Sequence, residues 1–116
     1  MNFKIGVCQM SVVDNKEANL KKAEKMIREA AAHGSRLVVL PEMFNCPYKR
    51  NAFPMYAESY PGKTTSMLAN LAKELQIDLV GGSIPEQDQG CLYNTSYMYG
   101  KTGDLLGKYR KMQELT

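Results

Sequence analysis

Glu42 is the residue of this sequence best placed for acid–base chemistry. It closes the stretch RLVVLPE, residues 36–42, and the segment MFNCPY follows it. Leu37, Val38, Val39 and Leu40 show no polar alternation, which suits a strand buried on both faces in a sheet covered by helices. Pro41 has no backbone N–H to give and ends the ladder. A carboxylate at the mouth of such a strand, with an aromatic and polar loop behind it, stands where α/β proteins place working groups. The same residue also reads as a solvated loop acid, the common fate of such carboxylates. Cys8, Cys46 and Cys91 supply thiols, but their number is odd and no CxxC or metal-ligand spacing relates them. Disulfides and structural zinc are therefore not expected, and neither is any other metal or cofactor. His33, the only histidine, falls at the end of a helical pattern and reads as a helix-end residue rather than a catalytic base.

The elements that must position these groups alternate along the chain. Residues 3–10 (FKIGVCQM) read as a strand with Phe3, Ile5 and Val7 on one face and a smaller, mixed set on the other. Cys8 is expected there as a small buried hydrophobe. Asp14 followed by Glu17 is a capping signal for a helix that runs to about His33. Leu20, Ala23, Ile27, Ala30 and Ala31 form its buried stripe, and Lys21, Lys22, Lys25, Arg28 and Glu29 its wet side. His33 and Gly34 then supply a cation near the negative helix end and a residue free to turn left-handed. Residues 43–62 form a long irregular loop whose tyrosines and prolines argue for function over disorder. Tyr48 and this loop either shape a pocket or simply pack.

Met67, Leu68, Leu71, Ala72 and Leu75 mark a second helix, and residues 77–82 (IDLVGG) another short buried strand. The paired glycines suggest a sheet end or close approach of backbone to something else. Strand, helix, strand, helix, strand in this order predicts a largely parallel arrangement with right-handed crossovers. The last third changes character. Residues 85–90 (PEQDQG) read as a turn cluster, 91–99 (CLYNTSYMY) alternate, and 100–103 make a second turn before 104–111, giving an antiparallel hairpin. Tyr93, Thr95, Tyr97 and Tyr99 share one face, which reads as packed sheet surface.

A chain of 116 residues, 44% hydrophobic and 23% charged, has room for one domain and one modest core. The net charge of +3 is spread over interleaved acids and bases, so neither nucleic acid nor a membrane is expected as a partner. No apolar run approaches the roughly 18 residues of a membrane span. The start MNFKIGVCQM lacks the features of a signal peptide, and a cytoplasmic location follows as the expectation.

The order of motifs, KIGVCQM, LVVLPEMFNCPY, GGSIPE and LYNTSYMYGKTGDLLGKYRK, resembles the N-terminal portion of the carbon–nitrogen hydrolase, or nitrilase, superfamily over residues 2–111. Within it, FNCPY and GGSIPE are most similar to omega-amidase-type enzymes that hydrolyse short amides of dicarboxylic acids. The resemblance implies an α/β fold, the N-terminal part of a four-layer αββα sandwich of the nitrilase type. Residues 1–116 would then be a single incomplete domain, its partner a small-molecule amide substrate and either further copies of itself or a missing C-terminal half.

The resemblance further implies a Glu–Lys–Cys triad in which Glu42 matches the general base and Lys111 the lysine that supports the tetrahedral intermediate. The chemistry is coherent. A thiol must lose its proton to attack an amide carbon, a carboxylate can take that proton, and an ammonium can steady the developing oxyanion. The family's nucleophile lies in a GxxICYDxRFPE-like segment well beyond YRK, and residues 112–116 (MQELT) depart from the usual continuation. Cys46, four residues after Glu42, is the alternative nucleophile of a small hydrolase. A non-catalytic binding or assembly remnant of the same fold is the alternative from another class.

Overall fold

The computed structural model describes residues 4–114, and the side chains of residues 4–111. Strands β1 (Lys4–Val7), β2 (Ser35–Val39), β3 (Asp78–Asp88), β4 (Cys91–Tyr99) and β5 (Leu105–Glu114) form one sheet in sequence order. β1, β2 and β3 pair in parallel, as the alternation of elements predicts. β3, β4 and β5 pair antiparallel. Helices α1 (Lys16–Ala32) and α3 (Lys63–Leu75) bury their apolar stripes with Val38, Leu40, Leu79, Tyr97 and Tyr99 in one core. The short helix α2 (Phe53–Tyr56) interrupts the long loop.

Three expectations need correction, each for a local reason. The cap of α1 is Asn15, whose Oδ1 accepts from the Ala18 N–H at 3.0 Å. Asp14 instead accepts from the Tyr56 hydroxyl. Residues 85–88, read as a turn because they hold proline and polar residues, continue β3; the turn is made by Gln89 and Gly90, both at positive φ. The strand before Glu42 is not buried on both faces: Val38 and Leu40 are buried while Leu37 and Val39 are half-buried.

That asymmetry runs across the sheet. Val7 pairs with Val39, Val39 with Val80, and Val80 with Met98, a row on the face away from the core. Val7 is 70% exposed, Ile5 54% and Tyr109 65%. The apolar side of β1 predicted from Ile5 and Val7 is thus the outer one, and Gly6 and Cys8 face α1. A Cβ on Gly6 would meet Ala30 at 3.0 Å. Phe3, the third residue assigned to that side, lies outside the described residues.

Candidate active site

Glu42 is positioned by a chain segment that crosses β3 in close contact. The Leu40 N–H donates to the Val80 carbonyl at 2.9 Å and extends the β2–β3 pairing past the end of the strand. Pro41 then stops the ladder. The Met43 N–H donates to Ser83 Oγ at 3.0 Å, and the Phe44 N–H to the Ser83 carbonyl at 3.3 Å. Crossing this close requires a glycine below: a Cβ on Gly82 would lie 1.9 Å from the Pro41 carbonyl oxygen. The close backbone approach expected from the GG pair is therefore to the segment that carries Glu42. Met43 has φ 53°, a left-handed conformation costly for a side chain of its size, and it sends Met43 into the interior while Glu42 stays exposed.

Lys111 arrives from the far edge of the sheet. Its Nζ lies 2.6 Å from Glu42 Oε2, so the chain brings together two residues 69 positions apart. The same Oε2 accepts from Asn94 Nδ2 of β4 at 2.7 Å. The Lys111 ammonium, followed by the Asn94 amide, holds the Glu42 carboxyl below the usual carboxylate range. Glu42 reciprocally raises the Lys111 ammonium, with smaller contributions from Tyr48 and Tyr109. Both groups are charged near neutrality, as expected of an acid and an ammonium that stabilise each other's ionised form.

Tyr48, on the loop after Glu42, is 66% exposed and meets Phe53 edge-on at 5.6 Å between ring centroids. It adds a minor electrostatic contribution to the Lys111 ammonium. The loop's other tyrosines pack: Tyr60 stacks on Tyr97 at 5.6 Å, and Tyr56 is buried against Asp14. The loop as a whole is fastened. Asn45 Nδ2 donates to Thr64 Oγ1 at 3.0 Å, Asn19 Nδ2 to the Asn45 carbonyl at 3.2 Å, and the Gln87 N–H to the Glu58 carbonyl at 2.9 Å.

Cys8 and Cys46 belong to other clusters than this pair. Cys46 is buried in a separate cluster with Met43, Ala52, Phe53 and Tyr56, and its Sγ donates to the Pro47 carbonyl at 3.3 Å. Burial pushes its thiol up to about 11. Nearness in sequence to Glu42 does not become partnership, because the left-handed turn at Met43 directs the two side chains into different surroundings. Cys8 is buried in the main core, where desolvation also raises its thiol. His33 caps α1, with Nδ1 2.8 Å from the Glu29 carbonyl. Among the described residues no group of three or more His, Cys, Asp or Glu is placed to hold a metal ion, and no helix is long and apolar enough to cross a membrane.

Motif reading passed over Asn94, which touches Glu42, and Glu86, which holds β5 from the opposite face. Glu86 is buried to 1% exposure, accepts from Arg110 Nε and Thr95 Oγ1 at 2.8 Å each, and pairs with Lys108. Strand alternation held the signal for Asn94. It lies out of phase with the face of Tyr93, Thr95 and Tyr97 and is the polar residue closest to the pair on the opposite face.

Residues 4–114 match the carbon-nitrogen hydrolase family. The chain is 48% identical over 111 residues to omega-amidase NIT2 of Homo sapiens, covering 96% of this chain and 40% of that protein. It is 44% identical over 115 residues to the chloroplastic omega-amidase of Arabidopsis thaliana, covering 95% of this chain and 31% of that protein. Among solved structures, Saccharomyces cerevisiae Nit3, a member of the nitrilase superfamily, superposes with a TM-score of 0.86 at 38% identity, covering 96% of this chain and 44% of that one. The chain spans about 40% of the length of the first curated relatives it matches. With the family matched across nearly all of its residues and the fold shared with Nit3, the chain belongs to the carbon–nitrogen hydrolase family.

Proposed function

We propose that this chain supplies the Glu42 and Lys111 portion of a centre that hydrolyses a short omega-amide to its acid and ammonia. The observation that carries the reading is the 2.6 Å contact between Glu42 and Lys111, reached across 69 residues in a chain of this family. Residues 1–116 are read as the N-terminal portion of one such domain, with Tyr48 as a substrate contact. In the reaction, Glu42 accepts the proton of a cysteine thiol and the thiolate attacks the amide carbon. Lys111 steadies the oxyanion, and ammonia leaves with a proton returned by Glu42. Water then attacks the thioester, Glu42 again acting as base, and releases the acid. Cys46 does not suit the nucleophile's role: its thiol is buried and raised, and it donates to Pro47.

The substrate class follows the names of the omega-amidase relatives. Homo-oligomerisation, or cover from a C-terminal half, would occupy the exposed row on the outer sheet face. A cytoplasmic location suits three unpaired cysteines. The test is ammonia release from the monoamide of a short dicarboxylic acid by the protein purified from its own cells, with its intact mass determined. Turnover that is lost in Glu42→Gln and Lys111→Met and blocked by thiol alkylation is expected. Absence of turnover with substrate still bound would replace this reading by that of a non-catalytic binding module, which the burial of Cys8 and Cys46 in other clusters would then suit.

A further inference from the structure

The two oxygens of Glu42 are treated differently. Oε2 receives both donors, Lys111 Nζ at 2.6 Å and Asn94 Nδ2 at 2.7 Å. Among the described residues Oε1 has no hydrogen-bond partner, and the Glu42 side chain is 44% exposed. We propose that Asn94 is a positioning residue that, together with Lys111, pins Oε2 of Glu42 and leaves Oε1 as the oxygen that exchanges a proton during the reaction. The proposal rests on the amide-hydrolase reading for its chemistry, but the arrangement it describes can be measured without turnover.

Asn94 is suited to this work. It sits on β4 opposite Pro85, is 3% exposed, and is flanked by Tyr93 and Thr95, both of which pair with β3 and with β5. Among the described residues its own Oδ1 is buried without a hydrogen-bond partner. A buried orphan acceptor is costly, and a residue kept for packing alone would avoid it. Here the cost accompanies a donor aimed at a charged oxygen, a stronger bond than one between neutral groups. A lysine on a flexible stem can swing; a buried amide on a paired strand cannot. Asn94 therefore fixes which carboxylate oxygen is engaged, and Lys111 remains free to turn toward an oxyanion when one forms.

Among the described residues the charged group against Glu42 is Lys111 of β5, and Tyr48 and Tyr109 act in turn on the Lys111 ammonium. The experiment is a carboxyl-carbon NMR titration of Glu42 in this chain, with the side-chain amide resonances of Asn94 followed in the same samples. In the unaltered chain the Asn94 amide should shift with the Glu42 midpoint. In Asn94→Ala that midpoint should rise, and in the protein that turns over, the acid limb of kcat/KM should rise with it while KM changes little. An Asn94 amide that ignores Glu42 protonation in the unaltered chain would overturn the proposal, whether or not Asn94→Ala folds. So would a Glu42 midpoint that moves in Lys111→Met but not in a folded Asn94→Ala. Failure of the amidase reading alone would leave these titrations unchanged and show only as absent turnover.

Discussion

Arg110 and Lys111 are neighbours in β5 and serve acids on opposite sides of it. Arg110 Nε lies 2.8 Å from Glu86, on the face that carries Thr95 and Tyr97, and Lys111 Nζ lies 2.6 Å from Glu42, on the other. Successive residues of a strand point to opposite faces, so a basic dipeptide can lock an edge strand with one side chain and present the other to a site. β5 thus owes its placement beside Glu42 partly to a second carboxylate.

Replacing that carboxylate by Glu86→Gln should destabilise the fold by about 2–3 kcal/mol, at or just below the low end of the cost of breaking a buried ion pair, because Lys108 and Arg110 can turn to water. Burial pushes the Glu86 carboxyl up, but Arg110, Lys108 and the Thr95 hydroxyl pull it further down, and the net direction is below the usual range. A depressed carboxyl gives its full stabilisation above its unfolded pKa and loses it as pH falls toward its folded one. The unaltered chain should therefore lose more stability than Glu86→Gln between about pH 5 and about pH 3. Chemical denaturation at both pH values checks this, and parallel losses in the two proteins would contradict it.

A Cβ at position 82 has nowhere to go, since the nearest atom is a backbone carbonyl oxygen rather than a mobile side chain. Gly82→Ala should cost about 1–3 kcal/mol by overpacking and lift the segment that holds Glu42. The amide exchange of Met43, whose N–H donates to Ser83 Oγ, should accelerate more than that of Leu79 in the same strand region. Equal protection in both proteins would mean that the crossing tolerates the methyl group.

Much of this architecture was legible in the chain. The parallel strands, both long helices and the final hairpin follow from apolar periodicity, and Glu42 from the proline that ends its strand. What local reading could not supply was the partner of each group. Asp14 and Asn15 are both good caps, and only the Tyr56 hydroxyl, 42 residues away, decides that Asp14 is otherwise engaged. Glu86 sits among turn-forming residues, and its place in a strand depends on pairing with Tyr93 and on the bridge to Glu58. Asn94 acquires a role only when Pro41 carries Glu42 across β3. Each miss is a long-range contact overriding a local preference.

Thiol reactivity should sort by burial. Cys91 is half-buried, whereas Cys8 and Cys46 are buried with raised thiols. The thiolate is the reactive form, so alkylation near neutral pH should modify Cys91 first and reach the other two only on unfolding. Peptide mass mapping over a time course gives the order. Rapid labelling of Cys46 in the folded chain would restore it as a candidate nucleophile.

The outer face of the sheet sets the last expectation. Ile5, Val7, Met98 and Tyr109 are all more than a third exposed, and Val39 and Val80 continue the row between them. A contiguous apolar surface of this kind drives association in water. The Glu42–Lys111 pair lies toward the same face, because Asn94, Ser96 and Met98 alternate onto it. Whatever covers the face would therefore also wall the site. Alone at micromolar concentration, the chain should self-associate, and Val7→Lys should shift it toward monomer without loss of helical signal, because Val7 contributes little buried area. Light scattering that finds a monodisperse monomer would show that the row is tolerated in water and that its cover is not needed for solubility.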